Sequence, residues 1–482
     1  MKTSLPPEAL QEIGTRLEQA HKAFAKRYPG ASAGRQPVHV VYGGAHLFRS
    51  GTTRKLGELA LRSLDEFAPD FVAFARALGL EGADKLPDSP ESVAALTRSI
   101  ESGREEAQRE QHSAWFAHTV YQRVREKLRR EPVEDYRIDF EDGYGSRPDQ
   151  EEDGHALAAA AELARAMNEG ELPAFIGIRI KPLTEELRDR GIRTLDLFLT
   201  ELAGKTRGEL PRDFRITLPK VTLPDEVVAL ADICSRLEPA LDLSPGVLRI
   251  ELMIETTQAI FNERGEVHLL ALVNAARGRC ASVHFGPYDY TASRGISASP
   301  HLLSHFASDF AREVMQVALA RTGVGLADGP TNILPIPPHR AANEGAPLSL
   351  RQAEENRAVV HHAWKLHFGN VRRSLSNGFY QGWDLHPAQL PSRYAAVFSF
   401  FLENAATASE RLRNFMDKTA QATRVGQVFD DAAMAQGLVT YFVRAVDCGA
   451  ITPKEAEGLT GLSVAELRSS SFAQILEGRR GV

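Results

Sequence analysis

The sequence predicts an α/β protein: a (β/α)8 TIM barrel with an N-terminal helical leader, a helical insertion after the first βα unit and a C-terminal helical extension. Three observations predict it. Short apolar runs recur along the chain, eight in all, and stretches of helical spacing alternate with them. The runs are four to six residues long and read as apolar on both faces, as strands of a buried parallel sheet do. A length of 482 residues accommodates a barrel of roughly 250 residues plus insertions. An open doubly wound sheet is the alternative on the same observations.

Residues 7–28 place apolar side chains three and four apart among charges, which predicts an amphipathic helix ended by Pro29-Gly30. It belongs to a leader, residues 1–36, read as a lid or attachment without chemistry of its own. Val38 to Tyr42 is β-branched and aromatic, hence a strand. Gly43-Gly44 breaks it, and Thr52 to Leu64 resumes a helical pattern. Two or three charged helical stretches then interrupt the alternation at 71–132, an insertion within a catalytic domain spanning 37–415. From Tyr136 onward the runs YRIDF, FIGIRI, RITLPKV, VLRIELMI, ASVHFG, VGLADG and GWDLHP supply the remaining strands. Pro330 to Pro347 reads as an extended surface loop. Ala388 to Phe415 is helical, and its run YAAVFSFFLENAA is apolar enough to require a partner surface, so a homo-oligomer with this helix at the interface is expected. Residues 416–482 form the C-terminal extension.

The charge balance excludes several function classes. With 57 Lys+Arg against 63 Asp+Glu the net charge is -6, which offers no basic field to a nucleic acid. No run reaches the ~18 apolar residues of a membrane span, and the first twenty residues lack the apolar core of a signal peptide, so a cytoplasmic protein is expected. Cys234, Cys280 and Cys448 are scattered, which leaves no disulfide framework or CxxC knuckle. Any metal must therefore sit on oxygen or imidazole.

Reactive groups of a barrel lie at the C-terminal ends of its strands. Asp139, Glu141 and Asp142 end the second run, Arg179 and Lys181 the third, Lys220 the fourth and Glu255 the fifth; the sixth leads into Asp289 and the eighth ends at His386. That many ionisable groups at buried strand ends point to a site in which they neutralise one another. Glu255 and Asp289, one βα unit apart, are placed to share a hard cation, Mg2+ or Mn2+, with waters or substrate oxygens completing the shell. A helix cap for Glu255 and a Pro-Tyr-Asp turn for Asp289 are the alternatives. Arg179 pairs structurally with Glu141 or holds an oxyanion, for which its planar fork is suited. The amides of Tyr288 and Asp289, following Gly286, are further anion donors; Pro287 has none. His46, His284 and His386 are each candidate bases, with a packed histidine as the alternative for each, and a metal-bound water or hydroxide is an equal candidate.

The ordered segments HVVYGGAHLFRSGTTRKLGELA, IDFEDGYGSRPDQEEDGHA, FIGIRIKPLT, LPKVTLPDEV, ELMIETTQAIF, VHFGPYDYTASRG and WDLHPAQL resemble the citrate lyase β-subunit-like branch of the HpcH/HpaI aldolase family. The resemblance covers most of 37–415. It implies a phosphoenolpyruvate/pyruvate-type TIM barrel and a metal-dependent carbon-carbon lyase or aldolase acting on a 2-oxo acid or hydroxyacyl-CoA through an enolate. By motif it makes Glu255 and Asp289 metal ligands and lays Arg179 over the substrate's keto or carboxylate oxygen. Glu141 and Asp142 then stand beside the metal site and orient Arg179 and metal-bound water, and Lys220 adds a supporting charge. Arg49, Arg54 and Lys55 stand where related enzymes hold a coenzyme A thioester, a solvated helix start being the alternative. Two other readings share these residues: a malate-synthase-like enzyme condensing an acyl-CoA with glyoxylate, and a non-catalytic pyruvate- or phosphoenolpyruvate-binding protein.

Overall fold

The computed structural model describes residues 4–30, 34–297, 302–341, 347–417, 423–425, 428–430 and 432–468. Eight parallel strands follow one another around a closed barrel: β1 (His39–Gly44), β2 (Asp135–Asp139), β3 (Phe175–Arg179), β4 (Arg215–Leu218), β5 (Arg249–Ile254), β6 (Cys280–Phe285), β7 (Gly325–Pro330) and β8 (Gln381–Asp384). Closure comes from β1 pairing with β8, Val41 opposite Asp384. Each predicted run contributes a strand, and the open-sheet alternative falls.

The strands are not apolar on both faces, and here the structure corrects the sequence reading. Residues facing the helices are apolar: Ile138, Ile178, Ile216, Leu252 and Val283 are all fully buried. The faces turned into the barrel carry a charged and hydroxylated network instead. Arg137 donates to Glu251 through Nη2 at 2.8 Å and Nε at 3.1 Å, and also bonds Asp135. Glu251 accepts in addition from Thr217 at 2.7 Å and Ser282 at 2.6 Å, with His284 Nε2 2.8 Å away. Barrel interiors are usually filled by Val, Ile and Leu; this one is held by matched charges, which is tolerable in low dielectric only because each has partners. Burial opposes ionisation of Glu251, yet the Arg137 charge, with His284 beside it, holds its carboxyl well below the usual range.

Outside the barrel, the helix Thr52–Phe67 follows β1, and the segment up to β2 is filled by the helices Phe71–Leu78, Pro90–Ser102, Arg104–Glu110 and His112–Arg130. The apolar run of the long helix Leu390–Asp417 is also corrected. Tyr394, Ala395, Ala396, Val397, Phe398 and Phe401 are buried by their own chain. The helix packs on Leu350–Ser376, on His112–Arg130 and on Ala432–Cys448 of the C-terminal extension. Its apolarity is thus spent inside one chain and is no argument for an interface. The leader helix Pro7–Arg27 forms as expected, capped at its end by Tyr28 N–H donating to Phe24 O, but none of its residues is buried. Among the described residues no helix is long and apolar enough to cross a membrane.

Candidate active site at the C-terminal mouth of the barrel

The ends of β2 and β3 lie side by side, with Asp139 in register opposite Arg179. Asp139 clamps the guanidinium in a fork, accepting from Nε at 2.7 Å and Nη2 at 2.6 Å. The third nitrogen, Nη1, is buried, lies 3.1 Å from Glu141 Oε2 and makes no aligned hydrogen bond. The guanidinium also lies over the Tyr42 ring at 4.7 Å and the Trp383 ring at 5.7 Å, so aromatic faces from β1 and β8 fix its plane. Burial works against the charge, but Asp139 and Glu141 keep it on Arg179 throughout the accessible pH range.

Just beyond β4, Lys220 adopts a left-handed backbone, φ 51°, which non-glycine residues seldom take up. The turn sends its two ends in different directions. Its backbone N–H donates to Glu255 Oε1 at 2.5 Å, while its ammonium bonds Glu141, lies 3.3 Å from Asp142 and 4.0 Å from Asp289. One residue thereby joins the loops after β2, β4, β5 and β6. Burial raises the Glu141 carboxyl, whereas Asp142, more open, is lowered because the hydrogen bond with Glu141 and the charges of Arg179 and Lys220 outweigh its own burial.

Glu255 is buried directly after β5. Gly286 allows it that position: a Cβ on residue 286 would come within 2.5 Å of Glu255 Oε2. Burial, and after it the neighbouring Asp289 carboxylate, push Glu255 up to about 8. Asp289, in the first turn of the helix Pro287–Ser293, is half-exposed and faces the same Lys220. Two like charges close enough to perturb one another suit a shared divalent cation. They fit Mg2+, which takes one or two carboxylates and completes its shell with water and substrate oxygens. No group of three or more His, Cys, Asp or Glu is placed to hold a metal among the described residues, so a self-sufficient protein cage is not what this donor set resembles.

Arg179, Glu141, Asp142, Lys220, Glu255 and Asp289 are therefore brought together. Gly286 shapes the Glu255 position; the Tyr288 hydroxyl is engaged with Pro330 O at 2.7 Å. Other candidates are placed elsewhere. His386 caps the turn Pro387–Gln389, its Nδ1 accepting from Ala388 N at 3.2 Å. His284 faces into the barrel but bonds Tyr42 at 2.9 Å as well as facing Glu251, which makes it part of the charged interior. His46 packs beside Tyr144 and His155, and its burial lowers its pKa. Arg49 folds back onto the carbonyls of His46 and Phe48. Arg54 and Lys55 are not at the mouth at all. Arg54 reaches Glu171, which precedes β3, so this helix start lies at the N-terminal end of the barrel, and Lys55 pairs with Glu58. Sequence reasoning missed Asp139 as the clamp of Arg179 and missed Tyr42 and Trp383 entirely. The two-residue alternation of Asp135, Arg137 and Asp139 was the available signal for the first; nothing local marked the aromatic pair.

A family model described as "Domain of unknown function (DUF6986)" matches residues 17–475. The chain belongs to this family. No curated protein sequence matches the chain. Among solved structures, a citrate lyase from Burkholderia xenovorans LB400 is 19% identical over 70% of this chain and 92% of its own, with a TM-score of 0.50. CitE from Mycobacterium tuberculosis, in complex with magnesium, acetoacetate and coenzyme A, is 15% identical over 68% and 95%, with a TM-score of 0.42. A Haloferax volcanii malate synthase is 16% identical over 70% and 88%, with a TM-score of 0.37. At these identities the likeness to the citrate lyase is one of fold: this DUF6986 member has its barrel architecture.

Proposed function

We propose that this DUF6986 protein is a Mg2+- or Mn2+-dependent carbon-carbon lyase that acts on a 2-oxo acid or a hydroxyacyl-CoA through an enolate. The observation that carries the reading is the convergence of a clamped guanidinium, Arg179, with the carboxylate pair Glu255 and Asp289 at one barrel mouth. Breaking a bond next to a carbonyl leaves negative charge on its oxygen. A divalent cation, when bound by Glu255 and Asp289, supplies Lewis acidity for that charge. Arg179 offers Nη1, the nitrogen that Asp139 does not use, to a keto or carboxylate oxygen, and because its plane is already fixed it does not have to reorganise as charge develops. Glu141, bonded to Lys220 and beside Arg179, orients both cations toward that oxygen, and Asp142 orients Lys220 from the solvent side. The amides of Tyr288 and Asp289 add donors for a carboxylate.

The test is an assay of the purified chain with Mg2+ against 4-hydroxy-2-oxo acids and 3-hydroxyacyl-CoA thioesters, following pyruvate or the released aldehyde. Cleavage abolished by a chelator and restored by Mg2+ is expected. Arg179→Lys should lower kcat by about a hundredfold or more, because a point charge replaces the fork that Asp139 clamps; an unaltered rate would make Arg179 structural only. Thioester-dependent release of free coenzyme A with glyoxylate, in place of cleavage, would move the chain to the condensing enzymes.

The raised Glu255 carboxyl also sets a pH dependence. Without a cation, Glu255 binds its proton more tightly folded than unfolded, so its contribution to stability is complete below its ordinary 4.5 and is lost as pH rises through about 8. Cation binding requires the ionised form and runs the other way. Mg2+ affinity, measured by calorimetry from pH 6 to 9, should climb about tenfold per pH unit and level off above pH 8. A flat profile would detach Glu255 from the cation.

A further inference from the structure

A cavity of about 540 Å3 lies at the end of the barrel opposite the mouth, walled by the residues just before β2 and β3 and by Val446 to Gly449 of the C-terminal extension. We propose that it binds a phosphate monoester carrying an organic body of sugar or nucleoside size. Five of its lining side chains are cations and three are carboxylates, an excess of two positive charges. Of the charges around the wall, Glu134 on Lys127 and Arg468 on Asp447 cancel one another, while Glu58 and Glu126, beside Arg54 and Arg130, stand open to solvent, which screens them. A phosphate monoester, at about −1.5 to −2 near pH 7, matches that excess.

The cations are not equally committed. Arg35 and Lys127 are held by Glu131 at 2.8 Å and 2.6 Å. Arg129 makes no ion pair among the described residues; the pair of Arg130 with Glu126 is open and 3.8 Å long; Arg54 touches Glu58 and Glu171 only at 3.4 Å each. Three guanidinium forks are thus available on one cavity, the side chain best shaped to take phosphate oxygens in pairs. A phosphate alone would leave most of the volume unfilled, and the remaining wall is apolar: Pro132, Val133, Leu172, Pro173 and Val446. Gly449, at φ 86°, stands beside Arg130, where a Cβ would come within 3.8 Å of its Nη2, so a bound ester would tie extension to barrel.

The test is calorimetry on the full chain with AMP, ribose 5-phosphate, adenosine and inorganic phosphate. At least one ester should bind with a Kd below about 1 mM, tenfold or more tighter than adenosine and inorganic phosphate. The exposed pair Arg129→Ser/Arg130→Ser should weaken the ester about tenfold or more, as loss of charged hydrogen bonds does, without changing Tm or the Mg2+ titration at the mouth. Arg54→Ser alone should act in the same direction, and Glu171→Gln should tighten binding. Absence of binding by both esters at millimolar concentration, equal binding of adenosine, equal binding of inorganic phosphate, or affinities untouched by the arginine variants would each overturn the proposal.

Discussion

Glu255→Gln or Asp289→Asn is expected to reduce Mg2+-dependent turnover by a hundredfold or more, the scale of losing a preorganised electrostatic contact to the developing charge. The barrel should stay folded. Each substitution is isosteric, and neither residue belongs to the ion-paired interior beneath it. Glu255→Gln has a second expected signature. Burial and Asp289 hold the Glu255 carboxyl up to about 8, so an amide at this position relieves repulsion without removing a partnered charge. In the absence of Mg2+ its Tm above pH 8 should equal or exceed that of the unaltered chain, and the pH dependence of Mg2+ binding should disappear. Turnover and Mg2+ affinity both at the unaltered level would show that the carboxylate pair is a structural feature of the loops after β5 and β6.

Arg137→Met should cost about 3–5 kcal/mol of folding stability, because it takes from the buried Asp135 and Glu251 the nearest counter-charge they share, leaving only Arg215 at 4.0 Å and 3.6 Å. Glu251→Leu alone should cost a similar amount by taking from Arg137 one of its two buried carboxylates and withdrawing the acceptor of Thr217 and Ser282. The double variant should lose clearly less than the two losses added, since removing both charges together also removes their desolvation penalty. Urea denaturation read by circular dichroism measures all three. Additive losses would mean that the two side chains stabilise the barrel separately, through packing.

The strands were legible because β1 to β6 combine β-branched residues with a following helical stretch and β7 and β8 continue the same spacing, and their order around the barrel needs only the rule that consecutive parallel units are neighbours. The mouth was largely legible for a related reason: a barrel delivers every strand end to the same face, so Arg179, Lys220, Glu255 and Asp289 could be grouped from their positions alone. The interior was misread. In DYRID, RITL, RIELMI and ASVHF the polar residue recurs at every second position, the sign of two different faces, and treating the runs as uniformly apolar concealed Arg137, Glu251 and His284 as one network. The long helix Leu390–Asp417 misled in the opposite sense. Its apolar run does need a partner, but the extension that supplies one follows it in the same chain.

Local sequence determined which segments become strands and helices and which chemical groups stand at the strand ends, since both follow from short-range spacing. Only the closed tertiary structure decided what those groups meet. Tyr42 and Trp383 flank Arg179 because β1 pairs with β8 across more than three hundred residues of intervening chain. Arg54 is carried away from the mouth by the path of the chain after β1, and Lys220 joins four loops through a backbone turn that its own residue type disfavours. Contacts of this kind depend on closure and chain path, quantities that no window of neighbouring residues contains.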